Sequence, residues 1–428
     1  RCHFMSTTLL KNGIRFGRRL YHANRRRLQH LREGKPADFP SLVAQTLDVE
    51  DEQCARSWLS RRDDWYDPEP VRQYEDAFAT MNGSDYAVAL MGGRVALSAA
   101  IHALELEPGD EVVLPAFTCI VVPNAFRYAG VHIRFADIEL DTYGPEVSSV
   151  KAALTSQTSA ILIHHLFGLV CRDYEALLEL ANNRNVAVIE DCTHATGATF
   201  KGQPVGNLGD VAFYSSEHSK VFSTAQGGMA TTNDERLGSR LRAFANVAPL
   251  PSASRTERLL HTFRVDFYAH AHPRPWLFGD YYRERYKREY LTSTVESEMR
   301  SERPAYYGQR MPAPLAALGL KQIAKLDAYA EQRRETARRW DRWCTSNGYA
   351  CPLVLPDSSP AWLRYPVLVP PEKKEDLTWA LEELGVQPGV WFKTNLHPVK
   401  DSVFEPIRDT PAANRAVCQC INLPTLLN

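Results

Sequence analysis

The chain has 428 residues, of which 44% are hydrophobic and 24% are charged, and this balance excludes a disordered or collagen-like protein. Its 50 Lys and Arg residues offset 51 Asp and Glu residues, and a formal net charge of -1 gives no reason to expect nucleic-acid binding. The sequence has no run of about 18 apolar residues, so we expect no transmembrane helix.

The nine cysteines are scattered along the chain, and no two of them form a Cys-X-X-Cys pair. Their odd number and irregular spacing speak against a disulfide framework and against a zinc site or other metal site. We therefore expect free thiols in a reducing, cytoplasmic environment.

The N-terminal segment, residues 1–40, is strongly basic. Residues 1–35 contain ten Lys or Arg residues and a single acid, Glu33, with apolar residues between them. Such an arm could face an anionic membrane surface, act as a targeting peptide, or form a solvated helix on a neighbouring subunit, and we favour the last. Met5 is a candidate for the natural start of the chain.

Residues 41–250 alternate short β-rich runs with helical stretches. The predicted strands are 86–90, 111–115, 131–135, 160–165, 186–190, 211–215 and 229–232. The predicted helices are 95–104, 123–128 and 174–182. This alternation is typical of a mostly parallel sheet with helices on both faces, in which ligands bind at the carboxyl ends of the strands.

The alternation of predicted strands and helices ends after residue 250. Residues 251–312 are rich in Arg, Tyr and Pro and predict an irregular or helical insert. Residues 313–344 show one long helical pattern, and the remainder to residue 428 indicates a small α+β domain. In that domain we predict strands at 363–369 and 390–392, a helix at 372–384 and a segment around Leu423.

A glycine pair, Gly92-Gly93, separates the predicted strand 86–90 from the predicted helix 95–104. Glycines let the backbone approach a ligand closely, and a helix N-terminus offers N–H groups to a phosphate. Taken alone, such a turn is more often only a turn.

Two acidic residues stand at the carboxyl end of the predicted strand 186–190. They are Glu190 and Asp191. A buried carboxylate is costly unless it has a partner, and this edge of a sheet is where ligand sites form. Taken alone, Asp191 is equally well explained as a helix cap.

Lys220 lies in a small-residue loop between the strand 211–215 and the pair Gly227-Gly228. It is a candidate for forming a Schiff base, although an arbitrary lysine is usually a surface residue. The glycine turn, the acid and the lysine occur in one predicted α/β domain, in this order. Pyridoxal 5'-phosphate (PLP) needs a phosphate cradle, an acid for its pyridinium nitrogen and an imine-forming lysine, so the combination predicts a PLP site.

With these motifs the sequence resembles the DegT/DnrJ/StrS-type nucleotide-sugar aminotransferases, which are fold type I PLP-dependent enzymes. The resemblance is carried by residues 92–97, 108–118, 188–198, 209–220 and 227–229, with weaker matches at 310–311, 316–320, 322 and 333–334. It implies an α/β large domain with a mostly parallel sheet (41–250), a smaller α+β C-terminal domain (313–428) and a homodimer. The apolar helix that starts at residue 313 would need a buried partner, which also favours a dimer.

The resemblance implies roles for individual residues. Lys220 would bind the cofactor as an imine, and Asp191 would keep its pyridinium nitrogen protonated, so these two are the predicted catalytic residues. Ser215 and the backbone of the glycine turn would hold the phosphate, and His194 stands where the family usually has a glutamine near O3′. The predicted cofactor-binding residues are Gly92, Gly93, Arg94, Cys119, Asp191, His194, Ser215 and Lys220.

Several positions depart from the family pattern. Arg94 stands where the family commonly has a threonine, and it would offer the phosphate a bidentate charged partner. Cys119 replaces the aromatic residue that usually stacks on the ring, and Phe117 on the same side of the strand is expected to substitute in part. Gly308 matches the asparagine that the partner subunit contributes in the family, and the long insert would reshape the acceptor pocket.

The resemblance implies an aminotransferase of polysaccharide biosynthesis. Its amino donor is expected to be L-glutamate, and its acceptor a nucleotide-linked keto-sugar. A PLP-dependent sugar dehydratase or lyase is an alternative, but in the family such enzymes replace the lysine by histidine, and here Lys220 is present with His218 nearby. A non-catalytic PLP-fold regulatory protein is a second alternative, although it would not need to keep Lys220, Asp191 and Ser215.

Overall fold

The computed structural model describes residues 40–427 and Arg32, apart from 273–274, 289, 292–293, 305–306, 400–403 and 405–406. The basic arm, including Met5, therefore lies almost wholly outside the described residues, and the expectations for it stay predictions. Within the described ranges, no helix is long and apolar enough to cross a membrane.

A seven-stranded sheet forms the centre of the molecule. The strands of the chain are β1 (Tyr86–Leu90), β2 (Glu111–Pro115), β3 (Thr118–Cys119), β4 (His132–Ala136), β5 (Thr158–His164), β6 (Ala187–Asp191), β7 (Thr199–Phe200), β8 (Gln203–Pro204), β9 (Val211–Ser215), β10 (Gly228–Thr232), β11 (Ser358–Ser359), β12 (Arg364–Leu368), β13 (Leu396–His397) and β14 (Cys420–Pro424). The sheet has the order β1-β10-β9-β6-β5-β2-β4. Only β10 runs antiparallel to its neighbours, so the predicted mostly parallel sheet is confirmed.

Helices cover both faces of this sheet and also make up much of the insert and of the C-terminal region. They are α1 (Val49–Leu59), α2 (Glu69–Asn82), α3 (Gly93–Ala103), α4 (Val121–Ala129), α5 (Val147–Ala153), α6 (Tyr174–Arg184), α7 (Glu235–Val247), α8 (Ala253–Asp266), α9 (Pro275–Arg285), α10 (Glu296–Met299), α11 (Ala313–Ile323), α12 (Leu326–Ser346), α13 (Pro371–Glu375), α14 (Thr378–Glu383) and α15 (Pro411–Gln419). Successive strand residues alternate between two apolar cores. Val112 and Leu162 belong to one core, and Val113 and Ile163 belong to the other. Both faces of the central strands are thus buried, as expected for a parallel sheet.

The predicted long helix 313–344 is two helices, α11 and α12, with a break at Ala324 and Lys325. Lys325 Nζ at the break donates to Asp48 Oδ2 at 2.7 Å and also to Asp51. The apolar side of α11 packs against α2 of the same chain, where Gly319 lies directly against the Tyr74 ring. That helix therefore has its buried partner within the chain, and it gives no support for a dimer.

The insert and the C-terminal region also differ from expectation in detail. The insert is largely helical, with α8, a π-helical turn at Phe267–Ala271, α9 and α10. The predicted helix 372–384 is divided into α13 and α14, because Asp376 Oδ1 accepts from Thr378 N at 3.0 Å and forms a local turn. The predicted strand 390–392 is not a strand, and the pairing of β12 with β14 forms the small sheet instead.

Candidate active site

All of the predicted cofactor-binding residues lie around one cavity of about 300 Å³ at the carboxyl ends of β5, β6 and β9. The predicted residues that line it are Gly92, Gly93, Arg94, Cys119, Asp191, His194, Ser215 and Lys220. They come from separate segments of the chain, which the parallel sheet brings to one edge. The role of each one stays a prediction.

The glycine turn brings three backbone segments into contact. Gly92 has φ 147° and ψ 156°, a conformation that is open almost only to glycine. A Cβ on Gly93 would lie 2.9 Å from Ser215 Cβ, and a Cβ on Gly228 would lie 2.4 Å from the Gly92 carbonyl oxygen. These glycines therefore let the start of α3 sit directly against β9 and β10.

This arrangement suits a phosphate group. The N-terminus of α3 opens on the cavity, and Gly92 has no side chain to cap it. Among the described residues, Ser215 Oγ makes only long contacts, 3.5 Å to the Gly227 carbonyl and 3.4 Å from the Glu217 amide. Helix N–H groups and a weakly engaged hydroxyl thus converge on the same space, which is the usual construction of a phosphate cradle.

Asp191 ends β6 and is 1% exposed. Its Oδ1 accepts from Thr193 N at 3.0 Å and from Thr193 Oγ1 at 2.7 Å, while its Oδ2 lies 3.9 Å from His164 Nε2. The segment that follows is a turn and not a helix, so the interpretation of Asp191 as a helix cap is wrong. A buried carboxylate at a cavity is instead placed to bind a protonated nitrogen.

His164 stands beside Asp191 in the register of β5 and β6. Burial lowers the pKa of His164 to about 4, although Asp191 acts in the opposite direction. The imidazole is therefore neutral at pH 7, and it leaves the Asp191 charge available to a ligand.

His194 is held in one tautomer. Its Nδ1 accepts from the Phe167 amide at 3.2 Å, and burial lowers its pKa well below the ordinary value. The proton of the neutral ring is therefore on Nε2. The His194 ring stacks on the Trp391 ring with centroids 5.0 Å apart and planes 13° apart.

Lys220 is carried by a loop with its own hydrogen bonds. Lys220 N donates to Glu217 O at 2.9 Å, and Ser216 N donates to Gly227 O at 2.9 Å. The side chain is half-buried, with Nζ 5.3 Å from the centre of the Trp391 ring. Burial lowers the pKa of the amine, whereas the carboxylates of Glu217 and Asp191 raise it.

Sequence reasoning missed several residues of the cavity wall. They are Thr118, His164, Glu217, Trp391, Phe392 and His397. His164 could have been found, because it lies at the end of a predicted strand next to that of Asp191. Trp391 and His397 could not, because the pairing of β13 with β3 brings their segment to the site from far along the chain.

The structure adds a competitor to one predicted contact and corrects another. Arg94 forms an ion pair with the buried Glu298, so its guanidinium already has an anionic partner, and a phosphate would compete with that carboxylate. Phe117 is fully buried, with its ring 5.0 Å from the Phe392 ring, and it does not line the cavity. The expectation that Phe117 replaces the stacking aromatic residue is therefore wrong, and Trp391 is the aromatic side chain beside Lys220.

The cavity fits PLP on its own chemistry. It combines a phosphate cradle, a buried carboxylate and an amine, and it also contains polar atoms that lack a protein partner. Thr118 Oγ1 and His164 Nδ1 are buried without a hydrogen bond to any described residue. Buried polar groups without partners are rare, and these two favour a polar ligand in the cavity.

Comparison with known proteins agrees with this chemistry. The profile of the DegT/DnrJ/EryC1/StrS aminotransferase family matches residues 47–428. The chain is 36% identical over 209 residues to the GDP-perosamine synthase of Escherichia coli O157:H7, covering 49% of this chain and 56% of that protein. It therefore spans only about half the length of that relative.

Two further similarities extend over most of the chain. The spore coat polysaccharide biosynthesis protein SpsC of Bacillus subtilis is 30% identical over 377 residues, which is 86% of each chain. The aminotransferase structure from Psychrobacter cryohalolentis superposes with a TM-score of 0.69 at 24% identity, covering 91% of this chain and 94% of that one. The fold type I architecture is thus confirmed, and the chain belongs to the DegT/DnrJ/EryC1/StrS aminotransferase family.

Proposed function

We propose that the protein is a PLP-dependent aminotransferase that moves an amino group from L-glutamate to the carbonyl group of a nucleotide-linked keto-sugar. The proposal rests on one observation. Lys220, Asp191 and the cradle formed by Gly93 and Ser215 line the same cavity. Membership of an aminotransferase family supports the reaction class. The name of one relative, GDP-perosamine synthase, supports a nucleotide sugar as the acceptor.

When bound, PLP supplies an aldehyde that takes up an amino group and a ring that stabilises negative charge on the adjacent carbon. The N–H groups at the start of α3 and Ser215 Oγ would hold its phosphate. Asp191 would accept the N–H of the pyridine ring, a charged hydrogen bond that favours the protonated nitrogen. His194 and Trp391 would bound the ring and exclude water from it.

Lys220 would transfer the protons of the reaction. Its Nζ would take a proton from Cα of the amino donor and deliver it to C4′ of the cofactor, as a general base and then a general acid. The amine is suited to this because burial lowers its pKa below the ordinary value and so favours the neutral base, while two carboxylates limit the fall. For the acceptor, the same atom would move the proton in the opposite direction.

A dehydratase that uses His218 in place of the lysine is disfavoured by the contacts of that histidine. His218 Nε2 lies 2.7 Å from Glu217 Oε1, and Nδ1 lies 3.2 Å from Asp266 Oδ2. Both ring nitrogens are thus committed to carboxylates, and neither can take a proton from a substrate.

The assembly and location are further proposals. We propose a homodimer on the basis of the family resemblance, and light scattering of the purified protein tests it. A reducing, cytoplasmic location is supported by the described cysteines, which are all free thiols. Binding of the basic arm to a membrane surface is tested by comparing liposome binding of the chain with and without residues 1–35.

A borohydride experiment tests the site and the reaction class together. Reduction of the PLP-loaded protein should fix the cofactor to Lys220 as a stable secondary amine, which peptide mass spectrometry locates. Lys374, a second buried lysine that does not line the cavity, is the internal control. L-Glutamate without an acceptor should release one equivalent of 2-oxoglutarate. Labelling at another lysine would show that the site is misplaced, and labelling at Lys220 without 2-oxoglutarate would contradict L-glutamate as the donor.

A further inference from the structure

A ladder of polar, largely buried side chains leads from the insert to the loop that carries Lys220. It consists of Glu217, His218, Asp266 and Tyr290, which we call the charge ladder. Asp266 is the last residue of α8 and is 1% exposed, and Tyr290 follows α9 in the insert. Glu217 is the end of the ladder that lines the cavity.

The geometry fixes the charge of His218. Its Nε2 faces Glu217 Oε1 at 2.7 Å, and its Nδ1 faces Asp266 Oδ2 at 3.2 Å. Tyr290 O–H donates to the other Asp266 oxygen, Oδ1, at 2.9 Å. An ionised carboxylate can only accept hydrogen bonds, so both ring nitrogens must carry protons and His218 is an imidazolium.

Glu217 is correspondingly held as a carboxylate. Besides His218, the Ser219 amide donates to its Oε2 at 3.0 Å, and the Ser219 hydroxyl donates to the same oxygen. Burial would raise the pKa of Glu217, but His218 and Ser219 outweigh burial and lower it to about 2. Burial would likewise lower the pKa of His218, but Glu217 and Asp266 raise it to about 11.

The ladder therefore presents a negative end to the cavity. Two carboxylates and one imidazolium leave a net charge of one negative unit, and Glu217 is the member that lines the cavity together with Lys220, whose amide donates to the Glu217 carbonyl at 2.9 Å. The titratable groups around His218 are Glu217, Asp266, His270 and Tyr290. The groups that act on Lys220 are Glu217, Asp191, Cys119, Arg364, His164 and His194.

We propose that Glu217 is a positioning residue whose negative charge, oriented by His218 and Ser219 and partly offset by His218, holds a proton on Nζ of Lys220. The inference rests on the proposed function, in which Lys220 Nζ takes and returns a proton. The inference also assigns a role to the insert. Its residues Asp266 and Tyr290 would act on the lysine through His218 and Glu217.

Two substitutions with opposite expected effects test this proposal. The full-length protein is loaded with PLP, and the absorbance of the Lys220-linked cofactor is followed as a function of pH. Glu217→Gln removes the negative charge, so the titration midpoint should fall by about one pH unit. His218→Gln keeps a donor for Glu217 but removes the positive charge that offsets it, so the midpoint should rise.

The matched control is Glu52→Gln. Glu52 Oε1 accepts from Arg264 Nε at 2.8 Å, on the same helix that ends in Asp266, so this substitution loosens α8 without removing a member of the ladder. Its midpoint should equal that of the wild type. An unchanged midpoint in Glu217→Gln, or shifts in one direction for all three variants, would overturn the proposal.

A second measurement separates this inference from the proposed function. If the wild type showed no Lys220-linked cofactor band, the aminotransferase proposal would fail, and the inference would then be tested by labelling. The rate at which acetic anhydride modifies Lys220 as pH rises reports the pKa of its amine. That pKa should be about one unit lower in Glu217→Gln than in the wild type, and equal values would refute the ladder.

Discussion

Gly228→Ala should weaken cofactor binding through the backbone alone. Gly228 begins β10 and lies against the turn at Gly92-Gly93. An added Cβ would be 2.3 Å from the Gly92 carbonyl carbon and 2.5 Å from the Gly93 nitrogen. All of these neighbours are backbone atoms, so no side chain can rotate away to make room.

The size of the effect follows from the required displacement. Ordinary contact needs a separation of 3.4 Å or more, so the start of α3 must move by about 1 Å. Overpacking of this kind costs about 1–3 kcal/mol of folding stability. A shift of the Gly93 amide would also break the charged hydrogen bond that we propose it donates to the phosphate, worth about 1.5–3 kcal/mol, which corresponds to PLP binding weakened about 10- to 150-fold.

The assay compares PLP affinity with thermal stability, and Gly238→Ala is its control. Gly238 lies in α7, away from the cavity, and an added Cβ there would be 2.4 Å from the Tyr86 ring. Gly238→Ala should lower the melting temperature without weakening PLP binding. Unchanged PLP affinity in Gly228→Ala, or equal weakening in both variants, would show that the turn does not hold the phosphate.

Three further predictions concern the site. Lys220→Ala should abolish turnover, and measurable transamination by the purified variant would refute the role of Lys220. Asp191→Asn should keep the melting temperature and lower kcat about 10- to 150-fold, since a charged hydrogen bond is lost; a change within twofold would argue against the pyridine contact. His218→Gln should lower the melting temperature most at acidic pH. The pKa of His218 is raised from 6.5 to about 11, so its stabilisation is complete below pH 6.5 and is lost as the pH approaches 11. A destabilisation that grew with pH would contradict this.

Strand bounds and site residues could be predicted from the sequence wherever the residues that determine them are close together in the chain. The strands Glu111–Pro115 and Val211–Ser215 have the predicted bounds, because turn residues bracket apolar runs there. Asp191 and Lys220 could be singled out because one ends a buried strand and the other lies in the loop after one, and the parallel sheet then places both at one edge. Resemblance to a family supplied the roles that spacing alone left open.

Contacts between distant segments could not be predicted in this way. Trp391 reaches Lys220 only because the segment after β12 folds back to pair β13 with β3. Arg94 was expected to face a phosphate, but its partner is Glu298, about 200 positions away in the insert. Which charged side chains form ion pairs depends on their distance in the folded chain and on the cost of burying them. Neither can be predicted from a local sequence pattern.

The insert is better understood as part of the site than as an addition to it. Each of three polar contacts from it ends on the cavity wall or next to it. Arg255 Nη2 donates to Gln226 Oε1 at 2.8 Å, Asp266 binds His218, and Glu298 binds Arg94. Charged contacts in a poorly hydrated environment resist displacement, so the insert holds the glycine turn and the lysine loop at the same time. A change in residues 251–312 can therefore alter the chemistry of Lys220 without touching a substrate.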